Sequence, residues 1–312
     1  MIDSSFKTGK VLTSTRKTYI VLVEGERITC TLRGKLASKK SRISAVKVGD
    51  NVDISINPEP DEEIRGVIET VYPRKSQLSR TIESRSHQEH IIAVNIDQLL
   101  IILSARSPAF KLGTLDRYLV IAEKNRLNAR ICVNKIDLAD KAEFQHYAEY
   151  YQKVGYPFHF TSAETLEGVA ELETALRGSV SAIVGHSGVG KSSLIKAIAP
   201  ELDIRLGEIS ERTNKGMHTT TAAELYPLPS DTFIIDTPGV RELGLWEIYK
   251  RDLQEFFSDI YQLTPDCKFA DCQHIHEPGC AVKEAVESGD FLNERYENYL
   301  SIYDSLKMAH YE

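Results

Sequence analysis

The segment Gly185-His186-Ser187-Gly188-Val189-Gly190-Lys191-Ser192 limits what this chain can fold into more than any other stretch. It fits G-x-x-x-x-G-K-[ST], with the apolar run 180–184 before it and the helical run Leu194, Ile195, Ile198 after it. A strand must deliver the chain to a tight glycine turn, and a helix must leave with its N-terminal amides facing that turn. Backbone N–H groups then converge on phosphate, Lys191 reaches the β- and γ-phosphates, and Ser192 offers a hydroxyl to Mg²⁺. His186, Ser187, Val189 and Ser193 complete the expected contact set. The texture from residue 90 onward suits such a loop. Strand-like runs at 99–103, 130–133, 158–160, 180–184 and 232–235 alternate with helical patterns such as Leu115, Leu119, Ala122 and Leu166, Val169, Leu172, Leu176. That alternation predicts a mostly parallel sheet with helices on both faces.

A phosphate loop does not choose the base. Asn134-Lys135-Ile136-Asp137, at the end of the run 130–133, does. The Asp137 carboxylate can accept both the ring N–H and the exocyclic amine of guanine, a pair of donors that adenine lacks. Asn134 is expected to fix the strand-end loop and meet the purine edge, with the Lys135 stem along the ring. Thr161-Ser162-Ala163 supplies a companion loop, its Ala163 N–H meeting guanine O6. Asp236-Thr237-Pro238-Gly239 follows the apolar run 233–235. Asp236 is placed to hold Mg²⁺ through water, and the Gly239 N–H to meet the γ-phosphate. The base-reading segments thus precede the phosphate loop, which rotates the usual order. A compact domain whose ends lie close together tolerates such a cut.

Between the phosphate loop and Asp236 runs a long polar segment holding Gly216-Met217-His218-Thr219-Thr220-Thr221. A loop of that length in a compact domain is usually functional. Its threonines, Thr219 and Thr220 first, are candidates for a second hydroxyl ligand of Mg²⁺, ordered when the γ-phosphate is present. Val240 occupies the position just after the Asp236–Gly239 motif and cannot orient water. His218 is the candidate catalytic residue in its place, able to position or deprotonate water.

The first 72 residues read differently. Short strand-like runs at 10–12, 19–23, 28–32, 48–52 and 66–71 predict a small β-barrel of the oligonucleotide-binding type, residues 1–72. Residues 1–50 hold eleven basic groups against four acidic ones, in a chain of net charge −7. A basic face on an acidic body permits binding to a polyanion. Residues 73–89 are polar and basic and read as a linker, ahead of the nucleotide domain at 90–245. Residues 246–312 read as a helical module in which Leu292, Tyr296, Tyr299, Tyr303 and Leu306 form a core-facing stripe behind a possible cap at Asp290.

Five cysteines is an odd number, and three cluster late as Cys267-x4-Cys272-x-His274-x5-Cys280. Three thiolates and an imidazole suit closed, tetrahedral, structural zinc, with His276 competing for the fourth place. Cys30 and Cys132 lie in strand-like runs and read as inert core thiols. The longest aliphatic stretch, 99–103, is too short to span a bilayer, and the N-terminus carries no apolar signal core. The expectation is a cytoplasmic chain with no membrane partner, taken as a monomer.

Taken together, Asn134–Asp137, Gly185–Ser192, Gly216–Thr221, Asp236–Gly239 and the cysteine–histidine cluster resemble the RsgA (YjeQ, YloQ) family of small-subunit biogenesis GTPases. The resemblance covers barrel, rotated GTPase domain and zinc module in that order. It implies GTP hydrolysis stimulated by the immature 30S subunit, rRNA binding by barrel and zinc module, and release late in maturation. It also implies His274 rather than His276 as the zinc ligand, and a catalytic role for His218. Met217 departs from the basic residue common in that family. A reading from another class is an RNA-binding scaffold or regulator that only senses GTP.

Overall fold

The computed structural model describes residues 6–15, 17–34, 46–56, 63–81, 89–200, 202, 223–236, 245 and 248–306. These divide into two compact units. Residues 1–98, 175–183 and 203–242 make up the first, and 99–174, 184–202 and 243–312 the second.

The first unit opens with strands β1 (Phe6–Ser14), β2 (Tyr19–Val23), β3 (Glu26–Leu32), β4 (Asn51–Ile56) and β5 (Gly66–Val71). They run β1-β2-β3-β5-β4, and β4 pairs back onto β1 to close a five-stranded barrel. Closure leaves no unpaired barrel edge. Alternation fills the inside. Tyr19, Val21 and Val23 of β2 turn inward beside Val11, Ile28, Cys30, Val52, Ile54 and Ile68. Cys30 is wholly buried, and burial pushes its thiol up to about 11.

The stretch expected to be a linker contains a strand. β6 (Gln77–Thr81) pairs antiparallel with β7 (Glu89–Val94). Its polar sequence concealed it, because the groups that fasten it to the barrel are themselves polar. Arg74 grips the buried Asp50 carboxylate with two bonds of 2.8 Å. Asn95 donates to the Gly49 carbonyl and accepts from the Lys75 N–H, both at 2.9 Å. The same unit holds β11 (Val180–Val184, to residue 183), β12 (Glu224–Leu228) and β13 (Thr232–Asp236). β13 runs parallel to β11 and antiparallel to β12, and β12 meets β1 at Thr13 and Glu224.

The second unit contains β8 (Gln98–Ser104, from residue 99), β9 (Asn128–Asn134) and β10 (Phe158–Phe160), neighbours in the order β10-β9-β8. β8 is buried along its whole length, which explains its uninterrupted aliphatic sequence. Helices α1 (Leu112–Lys124), α2 (Ala142–Val154), α3 (Val169–Leu176) and α4 (Lys191–Ile198) follow in the chain. Leu166 is not part of the α3 face as its spacing suggested. It precedes the helix with a φ of 64° and is 59% exposed, whereas Val169, Leu172 and Leu176 are buried.

The C-terminal part of this unit is helical: a 3₁₀ turn at Lys250–Phe256, then α5 (Ser258–Leu263), α6 (Ala281–Ser288) and α7 (Asn293–Ser305). Tyr299 and Ile302 of α7, and Leu306 just past its end, share a core with Leu253, Phe257, Ile260 and Val120 of α1. Of the expected stripe, Tyr299 and Leu306 are buried in this core and Tyr296 and Tyr303 pack against it, while Leu292 lies just before the helix. Its cap is not Asp290: α7 begins three residues later, with Leu292 in the capping position and no side-chain cap bond. Among the described residues no helix is long and apolar enough to cross a membrane.

Candidate functional site

β11 delivers five buried residues to the turn at Gly185, and α4 departs from Lys191. Gly185 has a φ of 151° and Gly190 a φ of 90°, both rarely open to other residues. A Cβ at Gly185 would collide with the Ile102 carbonyl oxygen, and one at Gly190 with the Asn134 carboxamide. The loop therefore needs glycine for packing as well as for conformation. The Lys191 ammonium donates to the carbonyls of Gly185 and His186, each at 2.9 Å, so the cation lies over the loop. Val189 is buried, Ser187 and Ser192 are half-buried, and His186, Gly188 and Ser193 are exposed.

β9 and β10 run parallel, Phe158 beside Ile131 and Phe160 beside Val133. Their carboxyl ends bring Asn134–Asp137 and Thr161–Ala163 together, where open parallel sheets hold ligands. Asn134 is buried, and its three side-chain bonds among the described residues go to loops. Its Nδ2 donates to the Val189 carbonyl at 3.0 Å. Its Oδ1 accepts from the Thr161 hydroxyl and the Ala163 N–H, each at 3.2 Å. Asn134 is thus the staple of three loops, a role larger than the purine-edge contact its motif suggested.

Lys135, held left-handed at φ 61°, reaches the carbonyls of Ser107 at 2.6 Å and Gly188 at 2.7 Å. This lays its stem across the phosphate loop. Asp137 is exposed in the following 3₁₀ turn. Thr161 and Ser162 are buried, and their hydroxyls serve the protein. Thr161 donates to Asn134 and lies 3.2 Å from Cys132 Sγ, while the Ser162 Oγ accepts from the Thr165 N–H. Burial pushes the Cys132 thiol up to about 12, as suits a core thiol.

Asp236 ends β13, level with Ile183 of β11. Its side chain, together with Gly216, Met217, His218, Thr219, Thr220, Thr221, Gly239 and Val240, lies outside the described residues.

The late cluster closes as a ligand set. One donor atom from each of Cys267, Cys272, His274 and Cys280 lies within 4.8 Å of all the others. His274 Nδ1 stands 3.6 Å from Cys267 Sγ and 3.4 Å from Cys280 Sγ. His276 is exposed and is not a member. Sequence reasoning passed over the residues that hold this knuckle. Glu277 accepts backbone N–H bonds from Gln273, Ile275 and His276, which hold its carboxyl down at about 2. Tyr296 and Tyr299 of α7 donate to the carbonyls of His274 and Gln273 at 2.7 and 3.1 Å. Tyrosines at a core face beside a cysteine cluster were the available signal.

Equally unannounced is a buried ion network. Arg295 of α7 binds Asp259 of α5 at 2.5 and 2.9 Å and Asp116 of α1 at 2.5 Å. Tyr151 and Asn298 donate to Asp116, and Tyr150 to Asp259.

A glycine-rich loop between strand and helix, tied through Asn134 to two loops that precede it in the chain, in a sequence that opens with a five-stranded barrel, has the arrangement of a P-loop nucleotide-binding protein of rotated order. Comparison with known proteins narrows the class. The family model described as RsgA GTPase matches residues 71–246. Similar proteins include the small ribosomal subunit biogenesis GTPase RsgA of Gemmatimonas aurantiaca, 42% identical over 96% of this chain and 97% of that one. The protein of the same name from Bacteroides fragilis is 37% identical over 97% and 98%. Among solved structures, YjeQ from Thermotoga maritima aligns with a TM-score of 0.77 at 35% identity, covering 96% of this chain and 98% of that one. YloQ, described as a circularly permuted GTPase, aligns at 0.74 and 30% identity, covering 98% and 97%. The chain belongs to the RsgA GTPase family.

Proposed function

We propose that this chain is a GTP hydrolase acting in maturation of the small (30S) ribosomal subunit, binding its rRNA and leaving after hydrolysis that the subunit stimulates. The observation that carries the reading is the Asn134 carboxamide, which ties the phosphate loop to both base-reading loops. The near full-length likeness to proteins named small ribosomal subunit biogenesis GTPase RsgA supports the choice of partner.

In this reading Asp137 accepts the N1–H and 2-amino group of guanine, the Lys135 stem flanks the ring, and the Thr161-Ser162-Ala163 loop faces O6. The amides of 185–193 and the Lys191 ammonium hold the β- and γ-phosphates. Ser192, Asp236 and one of Thr219 and Thr220 are hard oxygen donors suited to Mg²⁺, which supplies charge neutralisation when bound. The Gly239 N–H meets the γ-phosphate. His218 positions the water that attacks γ-phosphorus as the bond to the GDP oxygen breaks. The Cys267, Cys272, His274, Cys280 set suits one structural Zn²⁺, because its donors close on one another and leave no open position. The division of labour is barrel 1–72 for RNA, 90–245 for GTP and GDP, and 246–312 for zinc, in a cytoplasmic monomer.

The test combines turnover and sedimentation. GTP hydrolysis is measured with and without 30S subunits. Co-sedimentation with 30S, 50S and 70S particles is measured with a non-hydrolysable GTP analogue. Binding confined to 30S with many-fold stimulation is expected. Binding without stimulation would favour a scaffold, and absence from all three particles would sink the partner.

A further inference from the structure

His274 can offer its Nδ1 lone pair to a metal only if the proton sits on Nε2, and something must hold it there. That atom lies 2.8 Å from the Oε1 of Gln254 and 3.4 Å from the Thr264 hydroxyl. The Thr264 hydroxyl donates to the Ile260 carbonyl at 3.0 Å, so toward the ring it too can only accept, and the carboxamide oxygen is the nearer of the two acceptors. With the amide turned the other way, its NH₂ would demand the Nε2 lone pair. The proton would then move to Nδ1, against Cys267 and Cys280. Gln254 is itself well anchored. It sits in the 3₁₀ turn Lys250–Phe256, next to Leu253, which is fully buried in the core shared with Val120 of α1.

We propose that Gln254 is the positioning residue of the metal site, its carboxamide oxygen fixing the His274 tautomer and ring so that Nδ1 joins the three thiolates. The inference rests on the metal reading above. A neutral acceptor does this without adding a further negative charge beside three thiolates, as a carboxylate would. Outer partners of this kind typically change metal affinity about 10–100-fold.

The experiment uses the full chain and three forms: wild type, Gln254→Leu and Gln254→Glu. Leucine approximates the volume without an acceptor, and glutamate keeps the acceptor. Zn²⁺ affinity is read by competition with a chromophoric chelator, and Co²⁺ loading by its thiolate charge-transfer and d–d bands. Wild type is expected to take one ion per chain. Gln254→Leu should bind Zn²⁺ about 10–100-fold more weakly with altered d–d bands, and Gln254→Glu should restore affinity to within a few-fold of wild type. Leucine and glutamate variants that bind as wild type does, or that lose affinity equally, would overturn the assignment of Gln254 while leaving the metal reading intact. A wild type that takes up no ion would overturn the metal reading and this proposal with it.

Discussion

Replacing Arg295 with methionine should be among the most damaging single changes in the C-terminal helices. The guanidinium is 1% exposed and makes three short bonds to Asp116 and Asp259. It also lies 4.7 Å from the Phe257 ring centroid and 5.3 Å from that of Tyr151. Methionine fills much of the space but strands two carboxylates, Asp116 wholly buried and Asp259 8% exposed. Breaking a buried pair from one side costs about 3–5 kcal/mol, because the partner's charge is left uncompensated. Each carboxylate keeps a tyrosine donor, Tyr151 at 2.7 Å and Tyr150 at 2.8 Å, so the expected loss does not exceed that range. It is still a large share of the roughly 5–15 kcal/mol typical of a folded domain. Urea unfolding followed by tryptophan fluorescence and circular dichroism measures it.

The same change has a pH signature. Burial already raises the Asp116 carboxyl despite Arg295, and removing the cation raises it further. A carboxyl whose folded pKa lies above its unfolded value binds protons preferentially in the folded state. Its penalty is absent at low pH and grows as pH rises through the unfolded and then the folded value. The gap between wild type and Arg295→Met should therefore narrow from pH 8 to pH 5. Adding Asp116→Asn and Asp259→Asn should recover at least half the loss. A cost below about 1 kcal/mol, or a triple variant as unstable as the single one, would refute the reasoning.

Two further outcomes follow from the buried thiols and the sheet. With metal bound, a thiol reagent should find no reactive cysteine; after chelation it should find Cys267, Cys272 and Cys280. Cys30 and Cys132, buried with thiols pushed up to about 11 and about 12, should appear only on denaturation, and five thiols reacting together on chelation would contradict this. His159 is held down at about 4 by burial and then by Arg130, whose Nη1 lies 2.8 Å away. Its contribution to stability is present above its unfolded pKa and fades as pH falls from there toward 4, so its ring resonances should show a neutral imidazole at pH 6. A midpoint near 6.5 would contradict the packing.

How much of this was legible depends on where each cause lies along the chain. The loop at 185–192 needs glycines, a lysine and a serine at fixed local spacing, so the sequence displays it directly. Asn134–Asp137, Thr161–Ala163 and the cysteine–histidine set are similarly local. The barrel was visible as a series of short strand-like runs crowded into the first 72 residues. By contrast, Arg295 and Asp116 are 179 positions apart, and no local pattern announces that pairing. Nor does any pattern announce that Gln254 faces His274 from 20 positions away. The hairpin of β6 and β7 was missed because hydrophilic residues such as Arg74 and Asn95 fasten it. Asn134 was found, but its three-loop role depends on the parallel register of β9 and β10, which only the fold supplies.

The central claim is that residues preceding the phosphate loop in sequence read guanine for it. Asp137→Asn tests that most directly. The variant trades an acceptor for an amide donor, which matches the 2-oxo group of xanthine where guanine carries an amine. Turnover of GTP and XTP is measured side by side for wild type and variant, with Lys191→Ala as the inactive control. The account predicts that Asp137→Asn loses GTP turnover and gains XTP turnover. Undiminished GTP turnover in the variant would contradict it.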